Sequence, residues 1–144
     1  MVAAAFVAPY LLEATARFVT AAASLPGVRL GVVTSSALED IPPPLRSQLS
    51  GHWRVENALD PRQIAEAVSG LSGQMGRVVR LVGALEQLQV PLAQVREAFG
   101  IQGMGVAAAR NVRDKAQMKR VLQEAGVPCA RYSLVSSAGE ARHC

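Results

Sequence analysis

Short apolar runs alternate with segments of helical periodicity along the first hundred residues, and no other feature constrains the fold as strongly. The runs lie at 2–8, 28–33, 53–55 and 77–82. Parallel strands need a long crossover between them, usually a helix, whereas antiparallel strands are often joined by tight turns. The alternation therefore predicts an α/β fold, a Rossmann-like parallel sheet with flanking helices on both faces.

The segments between these runs carry local signals for helices. Segment 11–24 repeats apolar residues near helical spacing. Asp60 and Pro61 combine an N-cap acid with proline at the first helical position, which is typical of a helix start. Segment 85–99 is also helical in pattern, although Pro91 predicts a kink or a new start there. These helices would cover the sheet.

The composition is typical of a globular protein. Half of the 144 residues are apolar and only 4% are aromatic, so alanine, valine and leucine must build the core. The net charge is +4, but the arginines are spread from Arg17 to Arg142 without a run of neighbours. This spread argues against a nucleic-acid-binding face, and we expect no nucleic-acid partner.

We expect a cytoplasmic protein that does not enter a membrane. Pro9, Glu13 and Arg17 interrupt the apolar N-terminal stretch, which fits a strand and a helix better than a signal peptide. No apolar stretch is long enough to cross a bilayer. Cys129 and Cys144 form no disulfide framework and no CxxC pair, as is typical of reducing compartments.

The alternation of apolar runs and helical segments ends at the glycine-rich segment 100–105, "GIQGMG". A helix is predicted over 106–125 and a strand over 127–135. We therefore divide the chain into a Rossmann-like domain (1–104) and a second unit (105–144). The second unit is too short to bury a core of its own and has the form of the beginning of a further domain.

Two patterns resemble known sites but lack the context that such sites need. "GMGVAA" (103–108) matches the dinucleotide fingerprint, but that fingerprint belongs after a strand, and here a helix precedes it. We interpret it as a helix stop and a linker. His52 and His143 have no second ligand at metal spacing, so no metal site is expected at either.

Glu86 is a candidate substrate-side residue. It follows the predicted strand 77–82, and open α/β sheets bind ligands at the carboxyl ends of their strands. A carboxylate there could face a substrate. It could equally be an acid at a helix N-terminus, where the helix dipole favours negative charge.

Lys115 and Lys119 are the only lysines in the chain. If 106–125 is one helix, the apolar stripe through Met118 and Leu122 extends back to Asp114 and Lys115, which places both at the buried edge. Lys115 could then cover apolar surface with its stem while its charge stays in water. Alternatively, its ammonium could point into a cleft and bind phosphate as a compact point charge. The residues alone leave both alternatives open.

The stretch "GMGVAAARNVRDKAQMKRVLQEAGVPCARY" (103–132) resembles the entry to the ATP-grasp domain of ligases related to biotin carboxylase and the large subunit of carbamoyl-phosphate synthase. The matching residues, in the family's order, are Arg113-Asp114-Lys115, Met118 and Gly126-Val127-Pro128. Residues 1–104 look like the Rossmann-like domain that precedes ATP-grasp in these enzymes.

The resemblance implies a function and a set of cofactors. Lys115 would contact the phosphates of ATP, and Asp114 would hold the helix start. ATP and Mg²⁺ would serve a reaction in which a small carboxylate forms an acyl phosphate that an amine captures. The family's second ATP lysine, lid loop and metal ligands lie beyond these 144 residues, so we expect this piece to be inactive alone.

A second interpretation has the chain as a stand-alone Rossmann- or flavodoxin-like module that binds a small molecule or a partner without catalysis. The two interpretations differ over the apolar face of 106–135. A piece of a larger enzyme should expose that face and be sticky or form a homodimer. A complete module should be monodisperse.

Overall fold

The computed structural model describes residues 1–142 and confirms the predicted α/β fold. His143 and Cys144, both considered above, lie outside the described residues. The strands are β1 (Val2–Val7), β2 (Val28–Thr34), β3 (Gly51–Arg54) and β4 (Val78–Val82). The helices are α1 (Glu13–Ala23), α2 (Pro43–Arg46), α3 (Pro61–Met75), α4 (Gln89–Phe99), α5 (Val106–Arg113), α6 (Lys115–Glu124) and α7 (Ala138–Ala141). Short 3₁₀ helices lie at Leu38–Asp40 and Glu86–Leu88.

The four strands form one parallel sheet in the order β3-β2-β1-β4. In the register, Ala5 of β1 lies opposite Gly31 of β2, and Phe6 lies opposite Val82 of β4. The chain leaves β1 towards β2 and later returns to the other side of β1 as β4. The topological switch point therefore lies between β1 and β4, and α/β sheets bind ligands at the carboxyl ends of such strands.

Strand β1 is buried on both faces, as its continuous apolar run predicts. Its side chains alternate between two cores. Ala3, Ala5 and Val7 pack with α3 and α4. Ala4, Phe6 and Ala8 belong to a second core that includes residues of α1, β2 and α2. The small alanines let helices approach the sheet from both sides.

Helix α3 begins where the sequence predicts. The Asp60 side chain accepts a hydrogen bond from the Arg62 backbone N–H (2.9 Å), and Pro61 is the first helical residue. The helix buries an apolar stripe: Ile64, Ala67, Val68, Leu71 and Met75. Each large side chain of this kind contributes ~1.5–3 kcal/mol when fully buried. Gly70 of the same helix lies directly under the ring of Trp53 on β3.

The predicted strand over 127–135 is wrong. No residue of that segment pairs with a strand in the described part of the chain. The Val127 N–H donates instead to Leu122 O (2.8 Å), so its first residue completes the C-terminal turn of α6. A strand needs a neighbour to satisfy its backbone groups, and the sheet of four strands does not extend to this segment.

Helix α5 packs against α4 across the predicted domain boundary. Ala109 is fully buried, and the Val106 N–H donates to the Glu97 carboxylate of α4 (2.8 Å). The division at residues 104 and 105 stays a prediction. None of the helices in residues 1–142 is long and apolar enough to cross a membrane.

Candidate nucleotide-phosphate site

The site is built around a break between α5 and α6. The predicted single helix over 106–125 is wrong, because Asp114 has extended backbone angles and separates two helices. Its carboxylate accepts hydrogen bonds from the backbone N–H groups of Ala116 (2.9 Å) and Gln117 (3.0 Å). Aspartate is among the strongest N-cap residues, and here its capping starts a new helix. The helical spacing of apolar residues in α5 therefore does not continue into α6.

The break places Lys115 at the first position of α6, where its side chain is exposed. The expectation that Asp114 and Lys115 lie at a buried edge is therefore wrong for both residues. The Lys115 side chain makes no hydrogen bond or ion pair with any residue from 1 to 142. Its ammonium is left to a ligand or to water.

Lys119 differs from Lys115 although it lies only one turn further along α6. Its Nζ donates to Ala130 O (3.1 Å) and lies 5.1 Å from the centre of the Tyr132 ring. The Tyr132 hydroxyl in turn donates to Ala116 O (3.3 Å). Lys119 therefore fixes the segment after α6 to the helix through a hydrogen bond and a cation–π contact.

Glu86 lies at the start of the 3₁₀ helix that follows β4, next to the carboxyl end of that strand as predicted. Its carboxylate forms an ion pair with Arg113 Nη1 (3.0 Å), and both side chains are about half exposed. Since Arg113 directly precedes the Asp114–Lys115 pair, the ion pair connects the switch-point loop with the helix break. The sequence did not predict this pairing.

An open cleft of about 420 Å³ lies beside the break, lined by Val90, Arg110, Arg113, Asp114 and Gln117. Arg110 and Arg113 are three residues apart on α5 and so share one face of the helix. That spacing could have identified the two arginines as a pair. Gln117 Nε2 donates to Asn111 Oδ1 (2.6 Å), which ties α6 to α5 across the break.

The other sequence patterns have structural explanations. The glycines of 100–105 follow helix α4, which ends at Gly100 in the left-handed conformation. The N–H at the start of α5 is already occupied by the Glu97 carboxylate. As predicted, a helix and not a strand precedes "GMGVAA", and the pattern itself spans a linker and the first three residues of α5. His52 Nε2 lies 3.1 Å from Ser36 O, within hydrogen-bond distance.

Among residues 1–142, no three His, Cys, Asp or Glu side chains come together to hold a metal.

Arg96 has a lowered pKa because the protein desolvates its guanidinium. It donates from Nε (3.0 Å) and Nη2 (2.7 Å) to Leu81 O and thereby fixes the carboxyl end of β4.

The solved structures that share this fold include an amino acid ligase and a synthetase. An L-amino acid ligase from Bacillus licheniformis matches with a TM-score of 0.69 and 12% identity, over 99% of this chain and 41% of the ligase chain. A phosphoribosylglycinamide synthetase from Anaerococcus prevotii matches with a TM-score of 0.66 and 16% identity, over 99% of this chain and 33% of that enzyme. The chain thus spans about two fifths and one third of these two proteins.

Comparisons by sequence alone add nothing to these structural matches. No protein-family model matches the sequence, and no match was found among curated proteins. The structural matches confirm the predicted Rossmann-like fold and do not assign an activity to this chain.

Proposed function

We propose that this chain is the N-terminal part of an ATP-dependent ligase and supplies Lys115 to the phosphates of ATP. The observation that carries the proposal is the exposed, unpaired ammonium of Lys115 at the start of α6. A flexible point charge of this kind suits phosphate binding. The Arg113-Asp114-Lys115 triplet also matches the sequence motif on which the resemblance to ATP-grasp ligases rests.

The structural matches support the class of reaction. Both proteins are ligases or synthetases by name, and this chain aligns with them over nearly its whole length. In the reaction that the resemblance implies, a substrate carboxylate oxygen attacks the γ-phosphorus of ATP and ADP leaves. An amine then attacks the acyl phosphate carbon, which forms an amide and releases phosphate.

In this proposal the chain binds and orients but does not complete the reaction. Lys115 neutralises negative charge on the transferred phosphate, which is a large part of phosphoryl-transfer catalysis. Glu86, at the switch point, would accept hydrogen bonds from the amine substrate once Arg113 is displaced. Mg²⁺ would supply further charge neutralisation, but we assign it no ligand in residues 1–142.

Lys119 provides a matched control for a substitution of Lys115. Lys115→Ala and Lys119→Ala both lower the net charge by one, so a non-specific attraction to ATP would weaken equally in both variants. We expect Lys115→Ala to weaken ATP binding at least about tenfold, the order expected for one charged contact. We expect Lys119→Ala to bind ATP nearly as well as the unaltered chain, although the segment after α6 becomes less ordered.

Titration of the 144-residue chain with ATP, followed by amide chemical shifts, measures both affinities. Shifts at residues 113–117 that are lost in Lys115→Ala would support the proposal. Equal affinities of the two variants would contradict it. If ATP causes no shifts, the stand-alone binding module becomes the better interpretation.

The state of association distinguishes the same two interpretations. The 106–135 region exposes several large apolar side chains: Val112, Val121, Val127, Leu134 and Val135. We expect a part of a larger enzyme to self-associate through this surface. Sedimentation velocity measures this, and a strictly monomeric chain at high concentration would favour the stand-alone module.

A further inference from the structure

A second cleft, distant in sequence from Lys115, lies at the carboxyl ends of β2 and β3. It has a volume of about 500 Å³ and is lined by Ser35, Arg54, Val55 and Glu56. Parallel sheets bind ligands at this edge, where the loops that follow the strands converge. The proposed ligase reaction makes no use of this cleft.

Two opposite charges lie on the same side of the chain at this cleft. Val55 is buried, and its N–H continues the strand pairing by donating to Thr34 O (3.0 Å). Because side chains alternate along an extended chain, Arg54 and Glu56 both project away from the core that holds Val55. Both are exposed, and both line the cleft.

Arg54 is held in place but keeps its binding groups free. Its Nε donates to Ser35 O (3.1 Å), which fixes the guanidinium plane beside the cleft. Its terminal nitrogens contact no acceptor in the described part of the chain. Those two nitrogens are the groups with which arginine binds a carboxylate.

Glu56 lies on a loop that is fixed in a similar way. The Gln63 side chain of α3 accepts from the backbone N–H groups of Glu56 and Asn57, both at 3.0 Å. The Glu56 carboxylate itself has no partner within residues 1–142, and it forms no ion pair with Arg54 despite lying two residues away. A bound molecule with both charges would satisfy the two side chains at once.

We infer that this cleft binds a small zwitterion of the α-amino acid type, with its carboxylate on Arg54 and its ammonium on Glu56. The assignment does not depend on the proposed function, because it involves neither Lys115 nor a nucleotide. Each contact is a charge-assisted hydrogen bond, and two of them give a dissociation constant on the order of 1 mM.

Three probes test the need for both charges: L-alanine, N-acetyl-L-alanine, which carries only the carboxylate, and L-alaninamide, which carries only the ammonium. The measurement is a titration of the 144-residue chain followed by amide chemical shifts. We expect L-alanine to shift the signals of Ser35, Glu56 and their neighbours, and each single-charge probe to bind at least about tenfold more weakly. Equal binding of N-acetyl-L-alanine or L-alaninamide, or no shift with L-alanine at tenfold the expected constant, would overturn the assignment.

Substitutions at the cleft and at matched surface positions give the second test. Arg54→Gln and Glu56→Gln should each weaken L-alanine binding at least about tenfold, and Arg54→Lys should restore part of the affinity. Arg77→Gln and Glu66→Gln are the controls, because both residues are exposed and lie outside the cleft. Unchanged binding in the two cleft variants, or an equal loss in the controls, would contradict the inference.

Discussion

The contact between Gly70 and Trp53 gives the sharpest test of the packing of α3 on the sheet. A Cβ atom at Gly70 would overlap three carbons of the Trp53 ring, all well inside 3.0 Å, whereas a Cβ at Gly73 would meet nothing within 4 Å. Both glycines lie within the same helix. Replacing either with alanine therefore changes helix propensity by a similar amount, and the two variants differ mainly in the overlap.

Helix propensity and steric overlap together determine the expected difference in unfolding free energy between the two variants. Gly73→Ala should gain ~0.5–1 kcal/mol of stability, because alanine favours the helix over glycine. Gly70→Ala should gain the same propensity but lose ~1–3 kcal/mol to overpacking. We therefore expect Gly70→Ala to be less stable than Gly73→Ala by ~1–3 kcal/mol.

Urea denaturation followed by fluorescence measures this difference. Trp53 is the only tryptophan, so its emission should also change in the folded state of Gly70→Ala and not in that of Gly73→Ala. If Gly70→Ala were as stable as Gly73→Ala with the emission unaltered, the packing of α3 against β3 described above would be wrong.

Three further predictions concern the helix starts and the switch-point ion pair. The backbone hydrogen bond from Arg62 lowers the pKa of Asp60 below its ordinary value of 3.8, so the ionised Asp60 stabilises the fold above pH 3.8, and this stabilisation is lost as the pH falls through the folded-state pKa. Asp60→Asn should therefore reduce the loss of unfolding free energy at acid pH, measured by urea denaturation at a series of pH values. An unchanged pH dependence would refute this. Glu86→Gln should change the free energy of unfolding by less than ~0.5 kcal/mol in a urea titration, because its ion pair with Arg113 is exposed, and a larger loss would mean that the pair holds α5 in place. Asp114→Ala should cost ~1 kcal/mol and speed amide hydrogen exchange at the first turn of α6, whereas unchanged exchange would contradict its capping role.

The sequence was sufficient to predict the sheet because the apolar runs of its strands are local signals. The runs at 2–8, 28–33 and 77–82 correspond to β1, β2 and β4 within one or two residues at each end. Asp60 and Pro61 begin α3, and Pro91 lies in the first turn of α4, where proline is tolerated. The strand order β3-β2-β1-β4 could not be predicted, since it depends on contacts between strands far apart in the chain.

The region after residue 105 was predicted less well because competing local interactions decide its structure. The apolar stripe of 106–125 favoured one helix, but capping by Asp114 outweighed it and created two. Segment 127–135 has the composition of a strand but no strand neighbour among residues 1–142. The position of Glu86 followed from the topology, whereas its ion pair with Arg113 required the three-dimensional structure.

Lysine-selective isotope labelling offers the most direct test of the proposed function, because the chain contains only Lys115 and Lys119. A lysine-labelled sample should give two sets of side-chain signals, which Lys119→Ala assigns by the loss of one. On addition of ATP, we expect a shift of the Lys115 signals and little change at Lys119, whose ammonium already contacts Ala130 O and the Tyr132 ring. A shift of Lys119 alone, equal shifts of both lysines, or no shift at saturating ATP would contradict the assignment of Lys115 to the nucleotide phosphates.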